Sequence, residues 1–261
     1  MRVTKREMRT FNGLRRVIAT LRGPDGCPWD RVQTHGSLRP YLLEEASETL
    51  EALDEGDPSR LCEELGDLLL EVLLHVQIAE EEGEFGLEDV IQSISEKLVR
   101  RHPHVFGEAT ADTPEAVVEQ WEELKREERS GQSVLTGIPG TLPALARAQA
   151  MQRRASRAGF TWEGVEQAWE ALGEELEELR QADTPEKRRE EVGDALFALA
   201  GLGRWLEVDA EEALRSTCRG FQRFFQHLEA AVREQGGDLA DMSTAEKLAL
   251  WERVKEMPDP Q

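Results

Sequence analysis

The stretch that decides the fold is LLEEASETLEALDEGDPSRLCEELGDLLLEVLLHVQIA, residues 42–79. On either side of Gly56-Asp57-Pro58 its apolar residues recur three or four positions apart, as they do on one face of an α-helix. The first face is formed by Leu42, Ala46, Leu50 and Leu53, and the second by Leu61, Leu65, Leu68, Val72 and Val76. Glycine followed by Asp-Pro is typical of a helix end and a new helix start. The stretch therefore predicts two helices joined by a short turn.

The helical spacing continues along the rest of the chain. No segment alternates apolar and polar residues as a half-buried strand does, and further helix ends are expected at Gly83, Gly107 and Gly131. The run LLLEVLLHVQIA, residues 68–79, is apolar on nearly all sides, so we expect this helix to be buried between several partners. The sequence therefore predicts an all-α protein.

The chain is strongly acidic. Its 261 residues carry 53 Asp and Glu against 32 Lys and Arg, a formal net charge of −21. Such a surface repels the phosphates of DNA and RNA, so we expect no nucleic-acid partner. A small anionic substrate remains compatible with this charge, but it needs a bound metal ion or a local basic cluster.

The cysteines and the apolar runs bear on the compartment. Cys27, Cys62 and Cys218 are odd in number and far apart, with no Cys-x-x-Cys, so neither a disulfide framework nor a zinc finger is expected. The N-terminal segment lacks the apolar core of a signal peptide, and no run of about 18 apolar residues exists. We expect a cytoplasmic protein with no membrane partner.

The two halves of the chain repeat the same acidic elements in the same order. EEASE (44–48) and EELGD (63–67) correspond to EELEE (174–178) and EEVGD (190–194), and each half ends in Trp-Glu-x-x-Lys. The offset is 130 residues at Glu45 and Glu175 and 127 at Glu64 and Glu191, which we attribute to a shorter loop. We interpret this order as an internal duplication.

The repeat boundaries follow from a segment rich in glycine and proline. SGQSVLTGIPGTLP, residues 130–143, has the composition of a linker, and a helix with several arginines follows it. We therefore predict a first repeat over 1–132, a linker with a basic connecting helix over 133–158, and a second repeat over 159–261.

Paired carboxylates lie one helical turn apart in each half. Glu45 and Glu48 are three residues apart on the first helix, and Glu64 and Asp67 repeat that spacing on the second. If the two helices pack antiparallel, all four side chains can point to one place. The matching residues of the second half are Glu175, Glu178, Glu191 and Asp194.

Converging carboxylates repel one another unless a cation lies between them. Ligation by oxygen alone suits Mg²⁺, with Mn²⁺ as a substitute, and the lack of a Glu-x-x-His pair argues against a di-iron site. In so acidic a chain, a single pair is more often a solvated helix face. The duplication of the whole set favours a metal site.

A basic cluster also stands out. Lys97, Arg100 and Arg101 share one helical face and form a candidate phosphate clamp, the alternative being a solvated basic face.

These motifs together resemble the MazG family of nucleoside triphosphate pyrophosphohydrolases. The resemblance rests on EExxE followed by ExxD, on the motif Cys-Pro-Trp-Asp at 27–30 and on RRHPHVF at 100–106. It extends to the join between repeats, where IPGTLPALARA at 138–148 precedes Gly-Phe-Thr-Trp at 159–162. It covers essentially the whole chain.

The resemblance implies a fold, an activity and an assembly. The fold is all-α, with tandem repeats whose helix bundles are completed by dimerisation, so a homodimer is expected. The activity is Mg²⁺-dependent hydrolysis of nucleoside triphosphates, NTP or dNTP, to nucleoside monophosphate and pyrophosphate. The expected role is house-cleaning of the nucleotide pool.

The resemblance also implies roles for single residues. The implied metal ligands are Glu45, Glu48, Glu64, Asp67, Glu175, Glu178, Glu191 and Asp194. The catalytic candidates are Glu45 and Glu175 with the preceding Glu44 and Glu174, which are placed to position water. The substrate-binding candidates are Lys97, Arg100, Arg101, Trp121, Lys125, Arg223, Trp251 and Lys255. In the family pattern, Lys97, Arg100 and Arg101 align with Gly220, Arg223 and Phe224 of the second half. Because the second half thus lacks two of the three basic residues, we expect the first half to carry most of the turnover, unless Arg219 or Arg223 compensates.

Two rival functions stay open. One is a non-catalytic helical scaffold that binds metal for assembly, although a scaffold has no need of the basic cluster. The other is a related enzyme, dUTPase-like or a phosphoribosyl-ATP pyrophosphohydrolase, although the tandem repeat and the Trp-Glu-x-x-Lys endings favour MazG. No set of side chains in the sequence specifies a base or a sugar.

Overall fold

The structure is a computed structural model that describes residues 4–128, 131–234, 237, 239 and 242–255. The chain divides into two compact units, Met1–Glu128 and Arg129–Gln261. Across the described residues, every regular element is helical, which confirms the all-α prediction. None of the described helices is both long and apolar enough to cross a membrane.

The helices of the first unit follow a short 3₁₀ turn at Glu7–Arg9. They are α1 (Phe11–Arg22), α2 (Pro28–Arg31), α3 (Arg39–Glu55), α4 (Pro58–Glu82), α5 (Leu87–Arg101), α6 (Pro103–Phe106) and α7 (Pro114–Glu128). Those of the second unit are α8 (Ala144–Arg157), α9 (Val165–Gln181), α10 (Pro185–Trp205), α11 (Ala210–Glu234) and α12 (Thr244–Lys255).

The predicted hairpin is formed by α3 and α4, which pack against each other. Gly56 ends α3 with a left-handed φ of 67°, a conformation that glycine adopts without steric cost. The Asp57 carboxylate accepts hydrogen bonds from the backbone N–H groups of Ser59 and Arg60 and so caps α4. The helix ends predicted at Gly56 and Gly83 are therefore confirmed.

The core of the first unit lies between α1, α4 and the start of α5. Ile18 and Leu38 are almost fully buried against the apolar face of α4. A buried arginine closes one side, because the Arg22 guanidinium donates to the Asp30 carbonyl at 2.6 Å and to Glu81 at 2.8 Å. These contacts hold α4 in place relative to the chain that enters α3.

The second unit repeats the hairpin with α9 and α10, and α8 packs on α10 and α11. Gln149 of α8 is buried and donates to the backbone carbonyls of Ala200 and Val208 at 3.0 and 2.9 Å. Its Oε1 accepts from the N–H of Ala210 at 3.2 Å. The helix predicted as a connector is thus joined to the second unit by a fully hydrogen-bonded amide.

The offset between the repeats is 130 residues at Glu45 and Glu175 but 127 at Glu64 and Glu191. A shorter loop does not cause this difference of three residues. The turn between α3 and α4 is residues 56–57, whereas the turn between α9 and α10 is residues 182–184. Instead α9 ends three residues after Glu178, while α3 continues seven residues past Glu48. The attribution to the loop was wrong, and the missing length is one turn of helix.

The expectation that α4 is buried on nearly all sides is wrong for one face. Leu73, Leu74 and Ile78 are buried, but Leu65 and Val72 are 50% and 42% exposed. The equivalent face of α10 is exposed as well, at Val192, Leu196 and Leu199. An apolar stripe is therefore left without a partner within each hairpin.

Candidate metal centre and nucleotide site

The first acidic cluster joins the two helices of the hairpin. Glu45 and Glu48 of α3 and Glu64 of α4 each offer a carboxylate oxygen, and these oxygens all lie within 4.8 Å of one another. Glu64 is buried, and the other two are half-buried. The antiparallel packing of α3 and α4 therefore brings together three of the four residues predicted for this site.

Asp67 and Glu44, which are outside the close triplet, affect this cluster through their charge. Burial raises the pKa of Glu45, and the nearby carboxylate of Asp67 raises it further, followed by those of Glu48, Glu44 and Glu64. Burial also raises the pKa of Glu48, with the charge of Glu64 as the next cause. The site therefore holds mutually repelling negative charge, which favours a bound cation.

One arginine offsets part of that charge. Arg60 lies four residues before Glu64, and its Nε lies 3.4 Å from Glu64 Oε1. It also pairs with Glu51 at 3.2 Å and with Glu55. Because Arg60 is shared between three carboxylates at the edge of the cluster, it does not neutralise the centre.

The second acidic cluster contains Glu175 of α9 with Glu191 and Asp194 of α10, again within 4.8 Å. Burial raises the pKa of Glu175, and the charges of Asp194, Glu178 and Glu191 raise it further. Burial also raises the pKa of Glu191, with Glu178 as the strongest neighbouring charge. Glu178 therefore belongs to the same electrostatic site, although its oxygens lie outside the close triplet.

The donor set of both clusters suits a hard divalent cation. Each close triplet consists of carboxylate oxygens alone. Mg²⁺ and Mn²⁺ prefer such oxygen ligands, whereas softer metals prefer the nitrogen of histidine or the sulfur of cysteine. Charge repulsion within each triplet would be relieved by a cation at its centre. The residues present therefore fit such an ion in both units.

The candidate phosphate clamp is occupied by an acidic side chain. Arg100 and Arg101 of α5 donate to Glu128 of α7, at 2.8 and 2.6 Å, and these bonds lower the Glu128 pKa to about 2. Lys97 and Arg100 line a shallow cavity of about 320 Å³ on the same helix. Two of the three predicted clamp residues thus face Glu128.

The predicted Trp and Lys residues near the end of each half differ in their surroundings. The ammonium of Lys125 lies 3.7 Å from the centre of the Trp121 ring, a cation–π contact. The Trp251 ring packs edge-on against Phe224, with ring centres 4.4 Å apart. Arg223 is exposed on α11, and the side chain of Lys255 lies outside the described part of the chain.

A cavity of about 660 Å³ opens beside the second acidic cluster. Glu174, Glu175 and Asp194 contribute to its lining, and most of the remaining lining is apolar. Phe160, Trp162 and Phe197 supply aromatic rings. A pocket with an apolar body and a few charged groups is typical of a small-molecule site.

Comparison with known proteins agrees with this geometry. The MazG nucleotide pyrophosphohydrolase domain matches residues 33–106. The chain is 43% identical to the nucleoside triphosphate pyrophosphohydrolase/pyrophosphatase MazG of Thermotoga maritima, over 94% of this chain and 95% of that protein. The chain belongs to the MazG nucleotide pyrophosphohydrolase family. The predicted family and the predicted enzyme class are therefore confirmed.

Two further relatives extend the comparison. The nucleoside triphosphate pyrophosphohydrolase of Escherichia coli K12 is 40% identical, over 95% of this chain and 98% of its own length. The uncharacterized protein YabN of Bacillus subtilis is 46% identical over 94% of this chain, which corresponds to 52% of YabN.

Two residues at these MazG clusters escaped the sequence interpretation. Trp162 is not among the binding residues predicted from the sequence, yet it is half exposed and lines the cavity. Glu71 lies within the apolar run of α4, is only 6% exposed, and no described residue bonds to its buried Oε2. A charged residue within LLLEVLL is the one sequence signal that could have identified Glu71.

Proposed function

We propose that this protein hydrolyses nucleoside triphosphates to nucleoside monophosphate and pyrophosphate in a Mg²⁺-dependent reaction. The observation that carries the proposal is the pair of all-carboxylate clusters, one in each helical hairpin. Family membership gives the reaction class. The proposed role is house-cleaning of the cytoplasmic nucleotide pool, where such substrates occur.

The proposed ligands are the eight carboxylates of the two clusters. A bound Mg²⁺ would polarise phosphoryl oxygens and acidify water. The protein itself contributes the placement of negative charge around the ion, and Glu44 and Glu174 lie beside the clusters where they can accept a proton or orient water. Mn²⁺ is the expected substitute, because it takes the same oxygen ligands.

The cavity of the second unit supports a site for the nucleotide. Its aromatic rings can stack on a base, which is worth about 1–3 kcal/mol per base and does not depend on which base it is. The adjoining acidic cluster would then hold the cation that accompanies the phosphates. This arrangement supports nucleotides as the substrate class and leaves base preference unspecified.

We also propose that the protein forms a homodimer. The exposed stripes on α4 and α10 are made of large aliphatic residues in a chain that is otherwise rich in charge. Burying such a stripe against another helix pair would gain roughly 25 cal/mol for each Å² removed from water. Sedimentation equilibrium tests this, and Leu65→Glu with Val72→Glu should yield monomers.

A panel of NTPs and dNTPs assayed with Mg²⁺, with Mn²⁺ and with EDTA tests the proposed activity. We expect nucleoside monophosphate and pyrophosphate in the presence of either cation, and no turnover in EDTA. The combined variant Glu48→Gln/Glu178→Gln serves as the negative control. Metal binding without turnover of any nucleotide would favour the non-catalytic scaffold instead.

A further inference from the structure

Glu71 is a buried residue whose carboxylate has an unpaired oxygen. The residue is 6% exposed, and its Oε2 is shielded from solvent and has no hydrogen-bond partner among the residues that the structure describes. Burying an unpaired carboxylate carries a free-energy cost, which a protein rarely bears without a compensating ligand. Leucine would fill the same place in the apolar run at no such cost.

The position of Glu71 relates it to the first acidic cluster. It lies one turn beyond Asp67 and two turns beyond Glu64, so all three share one face of α4. The carboxylate of Glu45, across the hairpin on α3, is close enough to act on Glu71 through its charge. Glu71 is not part of the close triplet, which places it at the border of the cluster.

The second unit shows what this helical position faces. Counting from the matched pair Glu64 and Glu191, Glu71 corresponds to Ala198 of α10. Ala198 lines the cavity together with Glu175 and Asp194. The equivalent position therefore lines the same cavity as two residues of the acidic cluster, and the first unit has a carboxylate where the second unit has a methyl group.

We propose that Glu71 is a fifth carboxylate of the first cluster, a positioning residue whose Oε2 accepts a hydrogen bond from a water molecule of the bound divalent cation. This inference rests on the proposed metal centre. Mg²⁺ keeps several of its waters when bound to protein carboxylates, so a ring of acceptors outside the direct ligands suits it. The two clusters then differ in kind, because only the first has this outer acceptor.

Manganese binding to the full-length chain tests the proposal. Electron paramagnetic resonance measures free Mn²⁺ directly, and Glu175→Gln with Glu191→Gln silences the second cluster in every sample. In this background, Glu71→Leu should weaken Mn²⁺ binding by roughly 10–100-fold, as the loss of an outer-shell partner does. Glu71→Gln keeps one oxygen acceptor and should weaken it less.

The controls separate this inference from the metal centre itself. Glu63→Gln removes the same charge from an exposed position of α4 and should leave Mn²⁺ affinity unchanged. Glu48→Gln should abolish tight binding. If Glu48→Gln weakens binding while both Glu71 variants bind Mn²⁺ like the parent, the role of Glu71 is refuted and the metal centre stands. If Glu48→Gln also leaves binding unchanged, the metal centre fails.

A reciprocal change gives a second, independent reading. With the first cluster silenced by Glu45→Gln and Glu64→Gln, Ala198→Glu should tighten Mn²⁺ binding at the second cluster. An unchanged or weakened affinity in a folded variant would contradict the proposal.

Discussion

Arg101 and Glu128 form a close ion pair between α5 and α7, with Arg101 Nη2 2.6 Å from Glu128 Oε2. Arg100 donates to the other oxygen of the same carboxylate at 2.8 Å. The Glu128 carboxylate thus pairs with two guanidinium groups that could otherwise bind a phosphate. Polyphosphate binding at this face must displace Glu128.

Removal of that carboxylate should therefore strengthen pyrophosphate binding to the first unit. We expect Glu128→Gln to increase affinity about three- to tenfold, since the freed pairs are partly exposed and screened by solvent. Calorimetry with Mg²⁺-pyrophosphate measures this in a chain that carries Glu178→Gln. Glu123→Gln on the same helix is the charge-matched control, and equal affinities of the two variants would show that Arg100 and Arg101 bind no phosphate.

Repulsion between the carboxylates of each acidic cluster should favour metal binding and lower the stability of the metal-free protein. Glu48→Gln and Asp67→Asn each remove one repelling charge, so the metal-free melting temperature should hold or rise. The same changes should weaken Mg²⁺ binding at the first cluster by at least about tenfold. Thermal melts with EDTA and with Mg²⁺ give both quantities, and variants that unfold while metal affinity is kept would mark the cluster as structural.

The raised pKa values of Glu45, Glu48, Glu175 and Glu191 predict a pH dependence. A carboxyl whose pKa is raised on folding stabilises the protein below the ordinary value of 4.5, and this contribution is lost as pH rises through the folded pKa. The melting temperature of the metal-free protein should therefore lose this contribution as the pH rises from about 4.5 towards neutral.

Saturating Mg²⁺ should reduce this loss, because the cation binds the ionised carboxylates and so gains affinity as pH rises. The combined variant Glu48→Gln/Glu178→Gln controls for other titrating groups and should show a smaller effect of Mg²⁺. A stabilisation by Mg²⁺ that is the same at both ends of this pH range would contradict the assignment.

The division of labour between the units is the next expectation. From sequence, the basic residues favour the first unit, but Arg100 and Arg101 are paired with Glu128, and an aromatic cavity adjoins the second cluster. We therefore now expect the second unit to carry most of the turnover. Glu178→Gln should lower kcat/KM by roughly 10–100-fold and Glu48→Gln by less.

The aromatic cavity gives this expectation a second readout. Trp162→Ala should raise KM for nucleotides. Trp29 precedes the first acidic motif as Trp162 precedes the second, and Trp29→Ala should leave KM nearly unchanged. If Glu48→Gln abolishes activity and Glu178→Gln does not, the original expectation from the basic residues is correct.

Local patterns predicted the hairpins, and contacts distant in sequence explain the rest. The turn at Gly56 and the spacing of Glu45, Glu48 and Glu64 are local, so helical periodicity was sufficient to bring these side chains together. The pairing of Arg101 with Glu128 spans 27 residues and depends on how α7 returns to α5. Helical periodicity along the sequence does not predict which distant helices contact each other.

The exposed stripe and the buried Glu71 were missed for another reason. The sequence pattern of an apolar helix face is the same whether that face packs within the chain or against another chain. The pattern therefore could not predict that Leu65 and Val72 are exposed. A single glutamate in an acidic chain is ordinarily a solvated residue. The burial of Glu71 is seen only in the structure, where α4 packs within the first unit.

Hydrolysis in ¹⁸O-labelled water tests the central claim most directly. A nucleoside triphosphate incubated with the protein and Mg²⁺ should give pyrophosphate without label and nucleoside monophosphate that carries one ¹⁸O, since water attacks the α-phosphorus. Mass spectrometry of the products distinguishes the cleavage positions. Label in released orthophosphate, with nucleoside diphosphate as the other product, would contradict the account.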